Sequence, residues 1–175
     1  MRRLVIGAST LAAAFVLGAA PAHGQFFVGI GATLPTGDYG EFAETGWMAT
    51  AGVRVWQSPN DRAGLWAEGF YGSNTHSDID GDKTNLYGGL ASVGFDLTTG
   101  AGMTATPYLL GSVGYMVHQY KSDLFSEFEG SDGGIAFGGG GGFYLGRFWL
   151  DARYMAASID SETTSFILVS AGVAF

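Results

Sequence analysis

The stretch Phe137–Met155 reads FGGGGGFYLGRFWLDARYM. Five consecutive glycines sit between aromatic residues, and a Gly-Arg step leads into a second aromatic segment. Glycine in such a run can make a flexible linker, a loop that cradles phosphate, or a strand pressed against bulky neighbours. Alternation decides among them. From Phe148 onward Phe148, Leu150, Ala152 and Tyr154 fall on one face, while Trp149, Asp151, Arg153 and Met155 fall on the other. Successive side chains of a strand point to opposite faces, so both charges share one side. The same phase in the preceding segment puts Phe137, Gly139, Gly141 and Phe143 on the apolar side and Gly138, Gly140 and Gly142 on the other. The run reads as a strand. Its inward glycines leave room for Tyr108, Leu110 and Met116 on one neighbour and for Trp149, Arg153 and Met155 on the next.

The pattern extends along the chain. No convincing helical period appears after Gln25, and eight alternating segments are expected: 25–34, 46–56, 64–71, 86–96, 107–118, 134–144, 148–157 and 165–175. Each is long enough to cross a bilayer as a tilted strand. Each has one uncharged face, such as Phe26, Val28, Ile30, Ala32 and Leu34 in the first. The opposite faces carry Arg54, Glu68, Asp96, Asp151 and Arg153. Charge on a lipid-facing position at the bilayer midplane costs about 2–4 kcal/mol for Arg or Lys, so these residues belong inside. An eight-stranded barrel is just wide enough for side chains to fill it, and buried charges there require partners. Arg54, Glu68, Asp151 and Arg153 are therefore expected to form a lumen charge network, with Trp66, Phe70, Tyr108 and Trp149 helping to plug it. The connections after strands one, three, five and seven read as mostly long and acidic, and those after two, four and six as shorter. This is the asymmetry expected of an outer-membrane barrel.

Composition agrees with that class and excludes others. Charged and aromatic residues each make up 14% of the 175 residues, and 30 are glycine, which is too apolar for disorder. Without cysteine there is no disulfide, thiolate metal site or cysteine nucleophile. A formal charge of −8 argues against nucleic acid as a partner. At the N-terminus, Arg2 and Arg3 precede the uncharged stretch Leu4–Ala20 and a small-residue region through Gly24. This is the pattern of a signal peptide, with cleavage expected after Gly24 and residues 25–175 forming one barrel domain.

The mature chain resembles the small outer-membrane β-barrels of the OmpA, OmpX and OmpW kind. The resemblance rests on "GIGATLPTGDYG" (29–40), "PYLLGSVGYMV" (107–117), "FWLDARYM" (148–155) and the final "SFILVSAGVAF" (165–175). It implies an all-β, eight-stranded antiparallel up-and-down transmembrane barrel in the outer membrane, embedded in lipid, with both termini in the periplasm. It also implies that Ile167, Val169, Ala171, Val173 and Phe175 form a C-terminal signal read by the barrel assembly machinery. Val173 stands where an aromatic residue is usual. The resemblance gives location better than activity; together with the residues, the function expected is structural or interactive at the surface, through an unidentified ligand, without enzymatic activity and without a cofactor. A narrow channel and a lipid-modifying enzyme are the alternatives.

Three motifs bear on chemistry. Asp78, Asp80 and Asp82 in "DIDGDK" have spacing that could gather oxygen ligands around Ca²⁺. Lys83 and Gly89 replace the glycine and glutamate of the EF-hand pattern, leaving a weak divalent-cation candidate or a solvated acidic loop. His118, near the outer rim with Tyr120, Ser122 and Asp123, is the raw material of a nucleophile–base pair, and His76 is similar. "GAGMTA" (100–105) formally fits a dinucleotide fingerprint, but Pro107 and the following alternation announce a strand rather than the helix such a site needs.

Overall fold

In the computed structural model, residues 25–77, 82–97, 105–121, 130–159 and 162–175 are described. They form one closed antiparallel barrel of eight strands in sequence order. The strands are β1 (Phe26–Thr36), β2 (Gly46–Gln57), β3 (Ala63–Thr75), β4 (Lys83–Asp96), β5 (Thr106–Lys121), β6 (Gly130–Leu145), β7 (Phe148–Ile159) and β8 (Glu162–Ala174). Closure is made by β1 and β8, from Phe27 opposite Ala174 to Thr36 opposite Ser165. Two further 2.9 Å bonds, Phe26 N–H to the Phe175 carbonyl and Phe175 N–H to the Phe26 carbonyl, extend the seam. No sheet edge is left open, which is how a barrel satisfies its backbone without water. We call the end bearing Phe26 and Phe175 the lower end.

At the lower end the strand limits match the sequence reading to within about one residue. At the upper end they do not. β3, β4, β5 and β6 run on through Ser73-Asn74-Thr75, Lys83-Thr84-Asn85, Gln119-Tyr120-Lys121 and Gly130-Ser131-Asp132. Polar side chains on both faces erase the alternation there, while the backbone ladder continues. The long connection expected after strand seven is also corrected: β7 ends at Ile159 and β8 begins at Glu162.

The outer face is apolar, with Ile30 64%, Ile135 66% and Phe148 65% exposed. Aromatic residues gather in two belts on it. Phe26, Trp56, Phe95, Phe143, Phe148 and Phe175 ring the lower end, and Trp47, Tyr71, Tyr87, Tyr115 and Tyr154 stand higher; all are exposed. Such girdles flank the apolar band of transmembrane barrels. Trp56 joins the lower belt because the register shifts between Arg54 and Trp56, so that Val55 and Trp56 both face out. Simple alternation would have turned Trp56 inward.

The glycine strand is explained by its neighbour. A Cβ on Gly140 would lie 2.0 Å from the Ala152 carbonyl oxygen, and one on Gly142 2.1 Å from that of Leu150. On the outer face a Cβ on Gly139 would meet nothing closer than 3.5 Å. The inward glycines are thus required by the close approach of the β7 backbone, beyond making space for large side chains. At the β6–β7 turn, Gly146 has φ 65°, the left-handed conformation that glycine adopts without penalty.

Candidate functional site

The interior divides into levels. At mid-height lies a charged network. Arg153 on β7 bonds Glu68 on β3 through Nη1 at 2.7 Å and Asp151 through Nε at 2.9 Å. Hydroxyls complete it: Ser170 donates to Asp151 Oδ1 at 2.6 Å, Tyr108 to Asp151 Oδ2 at 3.1 Å, and Ser92 to Glu68 Oε1 at 2.6 Å. Ser112 stands 2.7 Å from Ser92. The two charges of β7 meet because both point inward from the same strand. Glu68 reaches them across the lumen. In so buried a site, hydrogen bonds on the remaining lone pairs offset desolvation that charge pairing alone would not. The serines escape the sequence reading, and Tyr108 is expected there only as an inward plug. Their inward phase was the available signal, but nothing in the sequence gave their height.

Arg54 does not join this network. It faces Trp66 in the β2–β3 register, below Glu68, and stands at the lower mouth with Asp61, Arg62 and Asp96. Alternation fixes which side a residue points to, and register fixes its level.

Directly above the network lies an apolar layer, and above it buried Thr33, Asn74, Thr84 and Thr164 continue the filling toward the rim. Met48, Phe70, Leu86, Leu90, Met116, Met155, Phe166 and Leu168 belong to one buried cluster. Leu86, Met116 and Phe166 are fully buried. The gap between this cluster and Arg153 is only about 10 Å³. Below the network a cavity of about 60 Å³ is walled by Phe27, Trp66, Tyr108, Tyr144 and Trp149. It shares Gln25, Trp66 and Tyr144 with a mouth of about 150 Å³ at the lower rim. The barrel is a cup: open below, filled above.

At the upper rim the first connection folds inward. A 3₁₀ turn, Gly37–Glu41, places Tyr39 over the lumen, 3% exposed, with its ring 5.7 Å from His118 and 5.5 Å from Phe42. Burial pushes the Tyr39 phenol pKa above its ordinary value. The sequence reading gives this connection only as long and acidic. His118 is held beneath Tyr39, with Thr164 Oγ1 at 3.4 Å from its Nδ1. Ser122 and Asp123, the other members of the imagined nucleophile–base group, lie outside the described residues, as do Asp78 and Asp80. Asp82 is buried and accepts a hydrogen bond from the Tyr120 hydroxyl, and His76 Nε2 lies 2.8 Å from Thr84 Oγ1. Among the described residues no cluster of three or more potential metal ligands forms. Residues 100–104 of the "GAGMTA" motif are also outside the described set, and β5 begins at Thr106.

In the C-terminal strand Ile167, Val169, Ala171 and Phe175 are exposed on the outer face, with Val173 half-buried on the same side. Val173 pairs with Val28 and Phe148 in register.

No protein-family model and no curated protein matches the chain. Several solved structures share its fold. Ail, the attachment invasion locus protein of Yersinia pestis, superposes with a TM-score of 0.55 at 17% identity, over 87% of this chain and 99% of that one. Neisserial surface protein A gives 0.55 at 15% identity, over 86% and 97%. The N-terminal β-barrel domain of Pseudomonas aeruginosa OprF gives 0.51 at 14%, over 87% and 97%. The fold is that of the small eight-stranded outer-membrane barrels.

Proposed function

We propose that this chain is an integral outer-membrane protein with a structural or surface-interaction role, neither a porin nor an enzyme. One observation carries the reading: an apolar outer face banded by two aromatic belts encloses a lumen that is filled at mid-height and above. Residues 1–24 act as a signal peptide removed after Gly24, residues 25–175 form the barrel domain, and the lower end faces the periplasm. The strand from Ile167 to Phe175 serves the barrel assembly machinery, since its pairing with β1 is what closes the barrel. The upper connections face outside, where acidic residues greatly outnumber Lys83 and Lys121.

That charge shapes the kind of surface ligand. Ail has been solved with the heparin analogue sucrose octasulfate. A polyanion of that type would be repelled by the acidic rim here, so a neutral or cationic surface partner is the better fit. The test is fractionation of expressing cells, combined with protease treatment of intact cells and intact-mass measurement. A heat-modifiable outer-membrane species beginning at Gln25 and clipped only in the upper connections is expected. Recovery of the folded protein in the soluble fraction would overturn the reading.

A further inference from the structure

We propose that the lower cavity is a binding site for a slender primary ammonium ion, which enters from the lower mouth and donates hydrogen bonds to Glu68. The first argument is charge. Glu68 and Arg153 both line the cavity's inner end, and Asp151, outside the lining, holds the same guanidinium, so two carboxylates share one cation. The other charges of the cup, Arg54, Arg62, Asp61 and Asp96, balance among themselves at the rim. One buried negative charge is therefore left over, and an uncompensated buried charge is costly.

The second argument is the open valence. Glu68 Oε1 takes both the Arg153 guanidinium and the Ser92 hydroxyl. Among the described residues nothing bonds Oε2, although the Glu68 side chain is only 2% exposed and lines the cavity. Asp151, in contrast, has both oxygens occupied. The unpaired acceptor and the excess charge thus coincide on Glu68.

The walls supply the rest of the recognition. Trp66, Tyr108, Tyr144, Trp149 and Phe27 surround the space, and Tyr108 and Tyr144 stack at 4.5 Å between ring centres. Aromatic faces attract organic cations such as ammonium groups. A cavity of about 60 Å³ sets the size. One water needs roughly 10–15 Å³ on this scale, so the chamber admits roughly four to six water-sized groups, the length of a short unbranched amine. The wider mouth leaves room for the chain to continue downward.

The probe is n-butylammonium chloride, with n-butanol as its neutral counterpart, titrated by calorimetry into the folded full barrel in phospholipid nanodiscs. Saturable binding of the ammonium at one site is expected, at least about tenfold tighter than that of the alcohol. Glu68→Gln, which keeps the shape and removes the charge, should weaken ammonium binding by about tenfold or more and leave the alcohol unaffected. Trp66→Leu, at the junction of cavity and mouth, is the second variant and should also weaken it; heat modifiability checks that each is folded. Absence of saturable binding to the unmodified barrel at millimolar amine would overturn the proposal. So would equal affinity for amine and alcohol, or unchanged amine affinity in either folded variant.

Discussion

The lower and upper halves of the lumen are enclosed by the same eight strands yet filled by opposite chemistry. Above, Met48, Leu86, Met116, Met155 and Phe166 close the space with unbranched, adaptable or bulky apolar side chains. At mid-height and below, Arg153 ties two carboxylates together and aromatic walls leave a cavity open to the lower mouth. Apolar groups fill space through many weak, undirected contacts, so they can be packed without gaps. A charge network must instead satisfy directed bonds, and good geometry for the bonds leaves volume unfilled. The upper half seals the barrel; the lower half fixes its charges and keeps a chamber.

The two halves should respond differently to truncation. Arg153→Ala removes the one cation from a site holding Glu68 and Asp151, and breaking a buried pair in this way costs about 3–5 kcal/mol. Urea unfolding in bilayers should show the largest loss here, and a loss under about 1 kcal/mol would mean that the lower half is well hydrated. Met116→Ala empties part of the apolar plug and should cost about 3 kcal/mol by the transfer and cavity contributions. The wall itself gives the smallest effect and the cleanest contrast. Gly140→Ala forces β6 and β7 apart and should cost about 1–3 kcal/mol, whereas Gly139→Ala, facing outward with only an ordinary 3.5 Å contact, should be near neutral. Equal effects at the two glycines would refute the requirement for close strand approach.

Much of this architecture is legible in the sequence, because a strand buried on one side and lipid-covered on the other has a strict period of two. Asp151 and Arg153 sharing a phase is enough to turn β7 the right way round. What periodicity cannot carry is height around a tilted barrel. Arg54 and Glu68 both read as inward, but the β2–β3 register sets Arg54 opposite Trp66, below Glu68, and among the described residues no ion pair joins it to the central network. The upper strand ends were hidden for a related reason: Ser73, Asn74 and Thr75 are polar on both faces, so the ladder continues after the pattern stops. The bulge at Val55 breaks the period outright. Tyr39 was illegible because its burial arises from a short turn folding over the mouth, a tertiary event with no local repeat.

The central claim is that the apolar layer above the charge network closes the barrel to solutes. Conductance of the purified protein in a planar bilayer measures it directly. The account predicts no stable large-conductance steps at any holding potential that leaves the bilayer intact. Reproducible porin-like openings of the unmodified protein would contradict it.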